Sequence, residues 1–292
     1  MASLNTLSMS NNLLLAPNYS YIFDFERDFE HTEARRWMLA NWRAVCSYAA
    51  GLYLLLIFAG QQIMASRPRF EMRGPLVFWN TFLALFSIMG ACRTIPEFVY
   101  VLSTHGIYHS VCIPSFIEND RVSGFWALMF VLSKVPELGD TIFIVLRKQP
   151  LIFLHWYHHL TVLLYAWYSF TEYTAAARWF IVMNYLVHSV MYTYYAFKAM
   201  KFRVPRGIAM VITTLQLIQM VFGCLVNVWA YQIKEAGQEC GVSHQNINLS
   251  LLMYTSYFVL FARFFYNTYL ANDSGTKKPL PAKPAQDSKK KN

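Results

Sequence analysis

Long uninterrupted apolar stretches dominate the chain. Six of them contain no Asp, Glu, Lys or Arg, namely 44–66, 74–92, 149–171, 179–197, 207–233 and 240–262. A helix of about 20 apolar residues spans the hydrocarbon core of a bilayer, and runs without polar alternation argue against a membrane β-barrel. The pattern predicts an all-α polytopic membrane protein with seven transmembrane helices, near 44–65, 74–92, 123–146, 151–170, 176–197, 207–231 and 247–270.

The composition agrees with a membrane protein. The 292 residues are 56% hydrophobic and only 14% charged, against about 25% charged in average soluble proteins. Five cysteines are too few for a disulfide scaffold. We therefore interpret the net charge of +9 as a signal of membrane orientation and expect no nucleic-acid partner.

Lysine and arginine are unevenly divided between the two sets of predicted loops. One set, with the C-terminal tail, carries fifteen and the other carries eight. The positive-inside rule then predicts a lumenal N-terminal segment (1–43) and a cytosolic tail (271–292) on either side of a seven-helix membrane domain (44–270). The polar tail is expected to be disordered. Asn18, in Asn-Tyr-Ser, is then a glycosylation acceptor on the correct side, and Lys289 and Lys290 resemble a dilysine retrieval signal of the endoplasmic reticulum membrane.

The third predicted helix carries charged residues at membrane depth. Lys134, Glu137 and Asp140 recur every three residues, so they share about one third of the helix circumference. Buried ionisable groups are costly in a membrane and are usually paired or line a cavity. They indicate either a functional site or a salt-bridge cluster that fixes helix packing, and Pro136 predicts a kink beside them.

Three histidines open the fourth predicted helix. His155, His158 and His159 have i, i+3, i+4 spacing and lie on one helix face. Imidazole can act as nucleophile, base or metal ligand. The histidines suffice for a single-metal site completed by a carboxylate but are too few for a di-iron cluster.

Two further helices each present a polar face. Helix five carries Asn184, His188, Tyr192 and Tyr195, and helix six carries Thr213, Gln216 and Gln219. The helix-six residues are also explained as hydrogen-bonding contacts between helices. Together with helices three and four, these faces predict a shared polar cavity.

The ordered motifs resemble the very-long-chain fatty acid elongase family. They are Lys134-x-x-Glu137-x-x-Asp140-Thr141, His155-x-x-His158-His159, His188-x-x-Met191-Tyr192-x-Tyr194-Tyr195 and Thr213-x-x-Gln216-x-x-Gln219. With Trp156 inside it, the histidine motif resembles that of the branch of the family that extends saturated and monounsaturated chains, such as palmitoyl-CoA. Arg263 departs from the histidine that many relatives carry near the end of the last helix, so no role is transferred to it.

This resemblance implies a fold and a reaction. In the fold, six of the seven helices ring a narrow acyl tunnel that opens to the cytosol. In the reaction, acyl-CoA and malonyl-CoA give 3-oxoacyl-CoA, coenzyme A and carbon dioxide, without a cofactor or metal. Membrane lipid and the reductases and dehydratase of the elongation cycle are expected partners, and a homodimer is left open.

The resemblance also implies residue roles. His158 is expected to carry the acyl group as an acyl-imidazole, because no cysteine lies in the motif cluster, and His188 is expected to meet the malonyl or 3-oxo portion. Asn184 and Tyr192 are expected to hydrogen-bond the developing oxyanions, while Asp140, Glu137, His155 and His159 orient the imidazoles. Substrate contacts are further expected from Lys134, Tyr195, Gln216, Gln219, Arg147, Lys148, Lys201 and Arg203.

The predicted lumenal loops contain Cys112 and Cys240, for which we expect a disulfide, because that compartment is oxidising. Two alternatives to the condensing enzyme stay open at this point. They are a seven-helix receptor or transporter and a metal-dependent membrane lipid enzyme.

Overall fold

The computed structural model describes residues 17–271, and this part of the chain is helical with no strand. The elements are α1 (Asp24–Arg27), α2 (His31–Ala65), α3 (Arg73–Thr104), α4 (Gly106–Cys112), α5 (Ser115–Glu118), α6 (Arg121–Ser133), a 3-10 turn (Pro136–Leu138), α7 (Gly139–Leu146), α8 (Phe153–Thr171), α9 (Ala177–Ala199), α10 (Arg206–Glu235), α11 (His244–Phe265) and a π-helical extension (Tyr266–Leu270). Lys289 and Lys290, like the rest of the predicted tail after Ala271, lie outside the described residues.

Four helical segments in the described range are long and apolar enough to cross a membrane. They are His31–Ala65, Arg73–Thr104, Arg206–Glu235 and His244–Leu270. The chain is therefore a multi-pass membrane protein with an all-helical fold. The arrangement with seven crossings stays a prediction.

The first two long helices extend further than their apolar runs. α2 begins at His31 instead of near 44, and α3 continues to Thr104 instead of ending near 92. The polar start of α2 has partners in the fold, because Arg35 donates a 3.0 Å hydrogen bond to the carbonyl oxygen of Thr171 and packs over the Tyr173 ring. Apolar patterning marked the part that suits a membrane and missed the helix beyond it.

The third predicted helix, expected as one kinked element, is broken in two. α6 ends at Ser133, a 3-10 turn begins at Pro136, and α7 begins at Gly139. Pro136 has no backbone N–H and its ring crowds the preceding turn, so it disrupts the α-helical hydrogen bonds at this point. The break lies inside the Lys134–Asp140 motif and separates the side chains of Glu137 and Asp140 into different contacts.

One end of the bundle is closed by covalent and ionic links. The disulfide Cys112–Cys240, the pairing expected above, joins the end of α4 to the loop before α11. Beside it, the fully buried Arg178 forms a 3.0 Å ion pair with the fully buried Glu97. These contacts fix the end where α8 meets α9.

The segment before α2 packs against the same end. Glu26 is completely buried and accepts hydrogen bonds from Arg93 and from the indole nitrogen of Trp126, the latter at 2.8 Å. Tyr19 donates to Asp120 at 2.5 Å. Asn18, immediately before Tyr19, is exposed.

Two apolar cores flank the polar interior. One is built mainly from α2, α6 and α8, and the other mainly from α9, α10 and α11. The functional side chains singled out in the sequence lie between these cores.

Candidate active site

A cavity of about 340 Å³ lies between α7, α8, α9, α10 and α11. All four motifs contribute to its lining. Its polar lining residues are Asp140, His155, His158, His159, Asn184, His188, Tyr192, Tyr194, Tyr195, Thr213, Gln216, Gln219 and Tyr269. The shared polar cavity expected from the helix faces is therefore present in the structure.

A second, smaller cavity of about 60 Å³ continues toward the closed end of the bundle. Its walls are mainly apolar and include Phe130, Val162, Ala166, Phe170 and Ile181. Four residues line both cavities, namely His158, Asn184, Gln219 and Met220. The boundary between a polar and an apolar chamber therefore lies at His158.

The imidazole of His158 is held by packing. Its ring lies 4.7 Å from that of Tyr257 and 6.2 Å from that of Phe261, measured between centroids. No residue within 17–271 makes a hydrogen bond to its ring nitrogens. Both nitrogens are thus open to a bound molecule.

A buried hydrogen-bonded chain orients His188. The ammonium group of Lys134 donates to Glu137 at 2.8 Å and to Oδ1 of Asn184 at 3.3 Å. Asn184 in turn donates through Nδ2 to Nε2 of His188 at 3.2 Å. Lys134 and Glu137 do not line either cavity, so in this structure they act behind His188.

Asp140 is fixed by two donors from other helices. Trp79 donates its indole N–H to Oδ1 at 2.6 Å, and Tyr192 donates its hydroxyl to Oδ2 at 2.8 Å. A Cβ on Gly139 would lie 2.9 Å from the Trp79 ring, so glycine here makes room for the indole. Nε2 of His159 lies 3.9 Å from Oδ2, which is beyond hydrogen-bonding distance.

A hydroxyl pair positions His155. Thr141 Oγ1 lies 2.9 Å from Nε2 of His155 and 2.8 Å from the hydroxyl of Tyr53. The His155 ring lies 4.5 Å from that of His159. Nδ1 of His159 is buried without a partner among the described residues, so this imidazole keeps unused hydrogen-bonding capacity beside the cavity.

Two of the expected oxyanion donors are already engaged within the protein. Tyr192 donates to Asp140, and Asn184 uses its oxygen for Lys134 and its nitrogen for His188. Gln216 lies 3.3 Å from the thioether of Met191, whereas Gln219 makes no hydrogen bond with any described residue. The side-chain amide left without a protein partner in the cavity is therefore that of Gln219.

The basic residues expected to contact the substrate do not line the cavity. Arg147, Lys148, Lys201 and Arg203 lie in the connections between helices instead. Lys148 donates to the carbonyl oxygens of Ala65 and Arg67. Lys148 and Lys201 have positive φ angles of 54° and 68° and follow helix ends, so both have a structural role in ending a helix.

Sequence reasoning missed the residues behind the motifs. Trp79 and Tyr53 lie in helices that read as plain apolar spans, and only their cross-helix contacts identify them.

No group of three or more His, Cys, Asp or Glu side chains within residues 17–271 is arranged to hold a metal ion.

This fold and site define a class of protein: a multi-pass membrane enzyme with a buried histidine and carboxylate centre. The chain belongs to the family described as "ELO: GNS1/SUR4 family", whose model matches residues 37–277. All four motifs lie within that range, and the family resemblance drawn from them is confirmed.

Curated relatives are similar over most of their length. The chain is 65% identical over 262 residues to "Very long chain fatty acid elongase 6" of Drosophila melanogaster. The matched region covers 89% of this chain and 83% of the relative. The chain is 52% identical over 256 residues to the human protein of the same name, with coverage of 88% and 96%. It is also 46% identical over 259 residues to "Putative fatty acid elongase 3" of Caenorhabditis elegans, with coverage of 88% and 80%.

Proposed function

We propose that this chain is the condensing enzyme of fatty acid elongation. It joins an acyl-CoA to malonyl-CoA and releases carbon dioxide and coenzyme A, which gives a 3-oxoacyl-CoA two carbons longer. The observation that carries the proposal is the position of His158 where the polar cavity meets the apolar one. The mainly apolar lining of the deeper cavity suits an acyl chain, whose thioester then lies beside the imidazole.

The first half-reaction transfers the acyl group to His158. A lone pair of the neutral imidazole attacks the thioester carbonyl carbon, the carbon–nitrogen bond forms and the carbon–sulfur bond breaks. The proton on the other ring nitrogen leaves with the thiolate as coenzyme A. The open ring nitrogens of His158 support this step, because neither is committed to a protein partner.

The second half-reaction uses the polar cavity. Malonyl-CoA loses carbon dioxide, and its enolate carbon attacks the acyl carbon, which breaks the bond to nitrogen. The departing imidazolate takes up one proton from solvent, which restores the neutral imidazole. His188, oriented by Lys134 through Asn184, faces the malonyl group. Asp140 stands beside His159, with 3.9 Å between Oδ2 of the carboxylate and Nε2 of the imidazole.

The membrane arrangement proposed with this function has seven crossings, six of them around the two cavities. The N-terminus is lumenal with Asn18 glycosylated, and the C-terminus is cytosolic with Lys289 and Lys290 retaining the protein in the endoplasmic reticulum. The polar cavity lies toward the end of the bundle with the basic connections, where Arg147, Lys148, Lys201 and Arg203 attract the coenzyme A phosphates without entering the cavity. A homodimer and the reductases and dehydratase of the cycle are further proposed partners.

An elongation assay tests the proposal. Purified protein is incubated with radiolabelled malonyl-CoA and saturated acyl-CoAs of different lengths, and the lipid product is extracted and measured by length. We expect labelled 3-oxoacyl product with a maximum near palmitoyl-CoA, and none from His158→Ala. Arg147→Ala tests whether a basic residue outside the cavity attracts coenzyme A. This variant should have a higher KM while kcat stays within about twofold, because surface charge acts on association. A correctly folded protein that forms no product from any acyl-CoA would contradict the proposal.

A further inference from the structure

Gln219 is a buried side-chain amide with nothing to bind. It is 6% exposed and lines both cavities, as His158 does. Its carboxamide makes no hydrogen bond with any residue in the described range. Buried amides almost always have a hydrogen-bond partner, so an amide left open toward a cavity indicates a ligand that supplies one.

Other polar groups near this boundary are already used. Asn184 accepts from Lys134 and donates to His188, and Tyr192 donates to Asp140. Redirecting either group toward a substrate would break a contact that orients a proposed reacting residue. Gln219 carries no such cost, since both of its N–H groups are free.

The position of Gln219 also fits one particular atom of the substrate. In the proposed function the acyl chain enters the apolar cavity and coenzyme A lies on the polar side, which puts the carbonyl group at the boundary that His158 and Gln219 share. Met220, the next residue and also at the boundary, provides an apolar wall for the first methylene groups.

We propose that Gln219 is a catalytic residue whose carboxamide N–H donates a hydrogen bond to the acyl carbonyl oxygen during transfer to His158. This inference rests on the proposed acyl-imidazole step. As the imidazole adds to the carbonyl carbon, negative charge develops on this oxygen, and a donor held in place stabilises it more than it stabilises the starting thioester. When the carbon–sulfur bond breaks, the carbonyl re-forms and the donor retains the acyl-enzyme in register for malonyl attack.

The test separates the donor from the volume of the side chain. Gln219→Met keeps the length of the side chain and removes both donors, while Gln219→Glu keeps its shape and replaces the amide nitrogen by oxygen. Gln232→Met is the matched control, because Gln232 is an exposed glutamine on the same helix and lines neither cavity. Thermal unfolding and size-exclusion profiles of the three variants are compared with wild type.

The first measurement is the rate of coenzyme A release from palmitoyl-CoA without malonyl-CoA. Gln219→Met should slow this release by roughly 10²-fold or more, the usual loss for one oxyanion donor, while palmitoyl-CoA binding stays within a few fold. Gln219→Glu should be slower still, and Gln232→Met should equal wild type.

The second measurement is the infrared carbonyl band of enzyme loaded with carbonyl-¹³C palmitoyl groups. A hydrogen bond lowers the stretching frequency, so the band should move to higher frequency in Gln219→Met after prolonged loading. A purely structural role would leave the band in place.

The outcomes distinguish this inference from the proposed function. If folded Gln219→Met releases coenzyme A as fast as wild type and shows the same carbonyl band, Gln219 does not have this role. The acyl-imidazole would remain supported, because wild-type protein still releases coenzyme A. Absence of release and of an adduct in active wild-type protein would reject the acyl-imidazole, and the role of Gln219 with it.

Discussion

The indole N–H of Trp79, on α3, donates a 2.6 Å hydrogen bond to Oδ1 of Asp140, on α7. Tyr192 binds the other carboxylate oxygen from α9, so three helices meet at one carboxylate. The carboxylate is thereby held in one orientation at 3.9 Å from Nε2 of His159. Its position depends on a residue that carries no family motif in the sequence.

Removing the indole donor should impair turnover more than binding. We expect Trp79→Phe to lower kcat by roughly 10- to 100-fold, equivalent to the ~1.5–3 kcal/mol of a hydrogen bond to a charged group, with a smaller change in KM. In an Asp140→Asn background the same substitution should have little further effect, because the two residues act together. Trp167→Phe is the control, since the Trp167 indole is buried but its nitrogen has no partner in the described structure. Equal losses in both backgrounds would contradict this role.

Removing one partner of the Lys134–Glu137 ion pair should destabilise the fold more than removing both partners. Its side chains are 2% and 5% exposed, so removing one leaves an uncompensated buried charge. We expect Lys134→Met or Glu137→Gln to cost ~3–5 kcal/mol of unfolding free energy, measured by chemical denaturation in detergent. The double variant Lys134→Met/Glu137→Met should regain much of that stability.

Activity should not return with stability in the double variant. Asn184 would lose the ammonium group that fixes its oxygen, and His188 would lose its orientation. Arg69→Ala is the comparison, because the Arg69–Glu71 pair is largely exposed and should contribute little. Full activity in the stable double variant would show that the chain from Lys134 to His188 serves packing alone.

The histidine cluster is predictable from sequence, whereas its support is not. His155, His158 and His159 share a face because the helix repeat requires it, and the polar faces of α9 and α10 follow from the same periodicity. Trp79 reaches Asp140 only because of how α3 crosses α7, and no local pattern encodes a crossing. The early start of α2 escaped prediction for a related reason, since the partner of Arg35 lies at the far end of α8.

The disulfide should contribute stability and not catalysis. Cys112 and Cys240 are separated by 128 residues in sequence, and closing a long loop restricts the unfolded chain. Cys112→Ser/Cys240→Ser should lose roughly 2–4 kcal/mol, seen as a lower thermal transition, while the folded fraction keeps its kcat. Cys92→Ser, at an exposed free thiol, should unfold like wild type. An unchanged transition in the double variant, or two free thiols in peptide mapping, would contradict the expectation.

The length of the acyl chains that the enzyme extends should depend on the residues at the closed end of the apolar cavity, which we call its floor. Phe170 is buried near the closed end and lines this cavity. Phe170→Leu removes part of the floor and should shift the longest efficiently extended substrate upward by about one elongation round, because an acyl chain needs apolar space that is not already filled. Phe86→Leu makes the same change in the core outside both cavities, against Trp126 and Tyr185, and should leave the product lengths unchanged. Identical length profiles for the two variants would show that the floor lies elsewhere.

The covalent intermediate on His158 is the central claim, and mass spectrometry of the acylated enzyme tests it most directly. Wild-type protein treated with palmitoyl-CoA alone should release coenzyme A in an amount comparable to the enzyme and carry one palmitoyl mass on the peptide that contains His158. Malonyl-CoA added afterwards should remove that mass and yield the 3-oxoacyl product, and His158→Ala should acquire none. An active enzyme that releases no coenzyme A and carries no adduct until malonyl-CoA arrives would contradict the claim and establish direct condensation in a ternary complex.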